Sequence, residues 1–119
     1  MTARTFLLVF ALAFLASPHR LTAGAPPAEN AKIEALISHL ENLKDATFIR
    51  NGRDYDAKTA AKFLRGKWQA NEKKIRTAAE FIAKAATVSS TSGKPYMIRF
   101  NDGSEKPCAE YLSAQLKRL

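Results

Sequence analysis

The chain has 119 residues, 46% of them hydrophobic and 25% charged, and a formal charge of +8. That length suits one small domain burying roughly 60–65% of its unfolded surface, a modest core that can form without covalent staples. A single cysteine, Cys108, excludes an intramolecular disulfide, and the excess of Lys and Arg points to anionic partner surfaces without specifying a fold.

In chain order, Arg4, the apolar run Phe6 to Leu15, the break at Ser17-Pro18 and the small residues Thr22-Ala23-Gly24-Ala25 read as a secretory signal peptide. The run is far short of the ~20 residues a membrane-crossing helix needs, so no transmembrane anchor is expected after cleavage. We expect residues 1–23 to be removed, with Ala23 or Gly24 preferred over Ala25, where Pro26 would adjoin the cut. No cysteine sits just after the run to carry a lipid. Losing Arg4 and Arg20 takes the charge from +8 to +6. An exported protein of this charge, periplasmic foremost or else secreted, meets anionic envelope polymers, phospholipid headgroups and acidic proteins; nucleic acid is not expected as a partner.

Residues 24–29, with Pro26-Pro27, read as an extended leader to a single small α+β domain over 30–119. A first helix is expected to start near Ala28 or Glu29, because Ile33, Leu36, Ile37, Leu40 and Leu43 recur at three- and four-residue steps, with His39 at the stripe's edge. Thr47 to Tyr55 reads as a hairpin around Asn51-Gly52, a pair that tolerates the positive φ of a type I′ turn. Asp56 should cap a second helix, Ala57 to about Asn71, with Ala60, Phe63, Leu64 and Trp68 inward and the Lys67 stem along the same face. Thr77-x-x-Glu80 has capping-box spacing ahead of a third helix ending near Thr87.

After the polar loop Ser89–Gly93, Tyr96, Ile98 and Phe100 alternate with Met97 and Arg99, the period-two mark of a half-buried strand. Asn101-Asp102-Gly103 turns the chain, and Ser104–Lys106 can return as an edge strand. Pro107 then opens a last helix whose buried side is expected to be Cys108, Leu112, Leu116 and Leu119, with Tyr111 beside them. The sum is a helix-rich α+β fold: about four helices packed on one or two short antiparallel hairpins.

Two stretches carry a resemblance. Phe48-Ile49-Arg50-Asn51-Gly52-x-x-Tyr55, followed by Ala60-Ala61 and Leu64, and Ser92-Gly93-Lys94-Pro95-Tyr96-x-Ile98-Arg99-Phe100-x-Asp102-Gly103 resemble the pattern of a family of short exported bacterial proteins. That family is catalogued only as a domain of unknown function. The resemblance runs from about Ile33 to the C-terminus; it implies a bacterial, periplasmic setting and brings no activity, cofactor or catalytic residue.

Lys58, Lys62 and Arg65 stand at i, i+4 and i+7, continued by Gln69 and Lys73, so the second helix has a basic stripe opposite its apolar one. It is either an electrostatic patch or an ordinary solvated face. Arg50-Asn51-Gly52-Arg53 and Arg99 with Asp102 are the polar features of the hairpins. Arg50 and Arg99 offer two-pronged guanidinium contacts to a carboxylate or phosphate, against the plainer reading that the turn residues only shape turns and Arg99 pairs with an acid across the sheet. Tyr55, Tyr96 and Tyr111 are candidates for an aromatic groove.

Ser92-Gly93-Lys94 lacks the spacing of a phosphate-binding loop, with Val88 and Pro95 at the decisive places, and Thr91 stands where a Ser-x-x-Lys nucleophile would be. Lys94 is kept as a binding candidate beside a turn. Cys108 with His39 is a weak thiol dyad, and two histidines with one cysteine have no metal-ligand spacing, so no catalytic residue, cofactor or metal is assigned. The binding candidates are therefore Arg50, Tyr55, Lys58, Lys62, Arg65, Lys94 and Arg99. The sequence favours a non-enzymatic exported binding or interaction module for a protein or an anionic envelope polymer. Its competitors are a small hydrolase-like enzyme with a scattered active site, and a proteinaceous inhibitor of an exported enzyme presenting Arg99 or Arg50.

Overall fold

The computed structural model of the chain describes residues 25–119, and the expected signal peptide over 1–23 lies outside the described residues. The elements run α1 (Pro27–Glu41), β1 (Thr47–Arg50), β2 (Arg53–Tyr55), α2 (Ala57–Ala70), α3 (Ala78–Ala85), β3 (Met97–Arg99), β4 (Glu105–Pro107) and α4 (Cys108–Leu116). The fold is α+β and helix-rich. Its two hairpins share one antiparallel four-stranded sheet of order β2-β1-β3-β4.

The first helix starts at Pro27, inside the stretch expected as an extended leader. Proline at the first helical turn has its φ preset and no N–H to leave unpaired. Glu29, read from the sequence as leader, is in that first turn, and its carboxylate accepts the Ala78 N–H at 2.8 Å. The start of α1 is thereby tied to the start of α3. The expected apolar stripe is in place: Ile33, Leu36, Ile37 and Leu40 are fully buried, each worth about 1.5–3 kcal/mol of apolar burial.

Asn51 and Gly52 have φ of 54° and 77°, so the β1–β2 connection is the two-residue, left-handed turn that the Asn-Gly pair favours. Across the sheet, Phe48 lies opposite Tyr55 on one side and Ile98 on the other. Opposed residues share a face, so this row turns toward the helices, and Phe48 and Ile98 close the core. The opposite face carries Asp54, Ile49, Met97 and Pro107 in one row and Thr47, Arg99 and Glu105 in the next.

Helix ends follow local chemistry. The Asp56 side chain accepts the Thr59 N–H at 2.8 Å, and Thr77 accepts that of Glu80 at 3.0 Å. Glu80 reaches back one residue beyond the usual capping box, to the Arg76 N–H at 2.7 Å. Asp102 accepts both the N–H and the hydroxyl of Ser104, which shapes the β3–β4 turn.

One sequence expectation is corrected, and one core residue lies outside every predicted apolar stripe. Leu119 was expected on the buried side of the last helix, but α4 ends at Leu116 and Leu119 is 59% exposed. Ile75, in the polar segment between α2 and α3, is fully buried and belongs to the core. Short-range periodicity could not show this, because the segment has no repeating pattern.

Hydrogen bonds to the charged form hold the Asp56 and Asp102 carboxyls below their ordinary values, through Thr59 and Ser104, and those of Glu29 and Glu80 through the Ala78 and Arg76 backbone. Lowered folded-state pKa values mean that the unfolded chain binds more protons, so this stabilisation is present above the ordinary carboxylate range and lost as pH falls through it. Thermal unfolding followed by circular dichroism should therefore give a midpoint that drops below about pH 4. Asp56→Asn keeps a capping oxygen but does not titrate, so its acid drop should be shallower; a drop equal to that of the unaltered protein would contradict the assignment.

Candidate functional site

The first hairpin puts Arg50 and Arg53 directly opposite each other on the last rung of the β1–β2 ladder. Such opposed side chains have Cβ atoms about 4.5–5.5 Å apart, and two like charges there repel. The rung lies in the helix-facing half of the pleat but projects past the core. There the Arg50 guanidinium sits 4.6 Å from the ring centroid of Phe63 on α2. Phe63 is braced in turn by Tyr55, edge-to-face at 5.0 Å. A cation–π contact of this kind contributes about 0.5–1 kcal/mol at an exposed site.

The turn is fastened from its other side. The Asn51 amide donates to the Thr91 hydroxyl at 3.3 Å, and its carbonyl accepts from Ser92. The receiving loop is rigidly closed: Ser89 exchanges backbone bonds with Gly93 and Lys94, and its buried hydroxyl pairs with Thr91 at 2.9 Å. Lys67 locks the base of the loop, donating to the Val88 carbonyl and the Tyr96 hydroxyl, both at 3.1 Å. The two sequence stretches that carry the family resemblance are therefore one structural unit, with the turn of the first seated on the loop of the second.

The sequence-derived candidates divide into three places. Arg50, Tyr55 and the loop bearing Lys94 meet at this hairpin end, and Lys58 and Lys62 lie exposed on the adjoining α2, near enough to draw down the Asp56 carboxyl. Among the described residues, none of Arg50, Arg53, Lys58, Lys62 and Lys94 forms an ion pair. Arg65 is elsewhere: it bonds Glu34 at 3.0 Å and approaches Glu41 at 3.8 Å, tying α2 to α1. The basic stripe read along the second helix is thus interrupted after Lys62.

Arg99 stands on the opposite face of the sheet, held by Asp54 at 3.1 Å and Glu105 at 3.2 Å. These bonds raise its pKa, those to Asp54 first. The plainer reading of Arg99, pairing with an acid across the sheet, is the one realised. Tyr96 is buried under Lys67, while Tyr111 is on α4, bonded to His39 at 2.7 Å and beside Phe100. The three tyrosines do not share one groove.

Arg53 and Phe63 were not among the candidates. The alternation of the hairpin gives Arg53 the same face as Arg50, which was available in the sequence. Phe63 was legible only as an apolar stripe residue, because nothing local shows which strand it meets.

Comparison with known proteins agrees with the fold's unity. The model of a family of unknown function, DUF5329, matches residues 27–119. An uncharacterised protein, YfeK, from Salmonella typhimurium (strain LT2) is 43% identical over 68 residues, a stretch that covers 57% of each chain. No solved structure matches.

A half-open, mainly apolar crevice between β1 and α2, lined by Phe48, Arg50, Tyr55, Phe63, Tyr96 and Cys108 among others, offers about 30 Å³, room for roughly two or three water molecules. A larger open groove of about 340 Å³ runs between α1 and α2, past Asn30, Glu34, Arg65, Trp68, Gln69 and Glu72. Trp68, expected in the core, is half-buried there, its indole tilted against Phe81 at 6.1 Å. Among the described residues, no group of three or more His, Cys, Asp or Glu side chains could hold a metal ion, and no helix is long and apolar enough to cross a membrane.

Cys108 is 2% exposed, and burial pushes its thiol up to about 12, so it is not a nucleophile at neutral pH. His39 is engaged by Tyr111, so the thiol dyad is not formed. Iodoacetamide at pH 8 should leave Cys108 largely unmodified in the folded protein and alkylate it fully in denaturant, as read by intact mass. Rapid stoichiometric alkylation without denaturant would show that the helix start opens.

Proposed function

The chain belongs to the DUF5329 family, and we propose that this member is an exported, non-enzymatic binding module of the bacterial envelope, engaging an anionic partner with its basic hairpin end. The observation that supports this reading is the unneutralised gathering of Arg50, Arg53, Lys58, Lys62 and the Lys94 loop around one rigid turn. Periplasmic placement rests on the signal-peptide pattern of residues 1–23. The partner is a protein or an envelope polymer bearing negative charge.

The competing readings find less support. An enzyme calls for a recess with convergent titratable groups; the crevice beside the hairpin has room for only a few waters and its one thiol is deeply protonated, and in the larger groove between α1 and α2 the Arg65 guanidinium is already taken up by Glu34. An inhibitor would present Arg99 or Arg50 on a protruding loop, whereas Arg99 is clasped by two carboxylates and the Arg50 turn is seated on Thr91 and Ser92.

The test compares retention on anionic vesicles and on isolated envelope polymer at increasing salt. A lysine near an anionic surface contributes about 1 kcal/mol, so combined Lys58→Gln, Lys62→Gln and Lys94→Gln should weaken retention by roughly 3 kcal/mol, about a hundredfold. Lys73→Gln with Lys74→Gln, beyond the far end of α2, should cost much less. Equal losses from both sets would reduce the effect to net charge and remove the site.

A further inference from the structure

We propose that the Arg50–Arg53 rung is a phosphate clamp, so that the anionic group recognised is a phosphoryl group. This rests on reading the hairpin end as the anion-binding surface and names the chemistry of what it takes.

The argument begins with the repulsion. Two guanidinium groups directly opposite on a two-residue hairpin oppose the pairing they decorate, and no carboxylate among the described residues relieves them. The nearest strand acid, Asp54, points to the opposite face and is held by Arg99. Asp56 is turned into the start of α2 as its cap. Both local acids are thus committed, and the rung is left as a concentrated positive site.

Its geometry is fixed as well as charged. Phe63 packs against the Arg50 guanidinium, and no acid among the described residues takes up its N–H donors. Asn51 and Gly52 hold the turn in its left-handed conformation, and Thr91 and Ser92 anchor it. A guanidinium so held matches the paired oxygens of a phosphate, and the second from Arg53 supplies another pair of donors to the same group. A lysine in either place would supply charge without the fork. A carboxylate has two oxygens, which two forked donors would have to share, whereas a phosphomonoester has three to divide between them.

The experiment uses protein purified after export, with its N-terminus as processing leaves it, and inorganic phosphate as the probe. Amide shifts followed by NMR should saturate and be confined to residues 50–55 and 91–94. Arg53→Gln, an exposed substitution that relieves the repulsion on the rung, should leave the melting temperature unchanged or slightly raised and weaken phosphate binding by at least about tenfold. Arg53→Lys should restore little of it.

Shifts that grow without saturation and spread over Lys58, Lys62, Lys73 and Lys74 would overturn the clamp. So would full rescue by lysine. If the clamp fails in this way while the triple lysine variant still loses retention on anionic polymer, the binding-module reading stands without it; if both measurements are flat, both fall. Phosphatidic acid vesicles and soluble glycerol 3-phosphate, both phosphomonoesters, then identify the source. Loss of both with Arg53→Gln carries the clamp for any phosphate, and loss on vesicles alone carries it for a lipid headgroup. Undiminished binding of both would overturn it.

Discussion

The antiparallel pairing of β1 with β3 is the constraint on which the remaining structure hangs. Each strand arrives with its own hairpin, and separately each would be a marginal two-stranded ribbon. Setting Phe48 against Ile98 merges them into one sheet and gives the four helices an apolar floor. The same register places Thr47 beside Arg99 and so brings Arg99 within reach of Asp54, two strands away. It also carries the Asn51 turn to the Thr91–Ser92 loop. A slip of one residue would exchange faces, putting Met97 in the core and Arg99 out of its clasp.

The elements were largely legible in the sequence because their signals are local. Asp56, Thr77 and Asn51-Gly52 act over two to four residues, and each performs the expected task, while Glu80 reaches one residue further back than expected. What was not legible depends on residues distant in the chain. Nothing near Glu29 shows that its partner is the Ala78 amide, and nothing near Arg65 shows that Glu34 and Glu41 will neutralise it. The stripe from Lys58 to Lys73 was sound as helical geometry. Its division into a free part and a paired part is a tertiary fact.

Charge is distributed unevenly by this arrangement. Many of the acids are occupied inside the domain: Glu29 and Asp56 cap helices, Glu34 and Glu41 bind Arg65, and Asp54 and Glu105 bind Arg99. The cations are more numerous, so the excess is left where acids are already engaged. Arg50, Arg53, Lys58, Lys62 and Lys94 are part of that excess, and they make the surroundings of the first turn positive. The family resemblance falls on the same unit. Part of what makes its two stretches recognisable is structural need, since Gly52, Asp102 and Gly103 serve turns and Phe48 and Ile98 serve the core.

The sheet's two free margins have a different significance. Both β2 and β4 are three residues long, and β4 reads Glu-Lys-Pro, exposed at each position. An unpaired margin invites a strand from another molecule, and short length, charge and proline are the means by which sheets discourage it. Pro107 has no N–H to offer, and the strand passes directly into α4, so there is little backbone for an incoming chain to extend. With no disulfide to hold it closed during a transient opening, the fold relies on its edges being poor templates for aggregation.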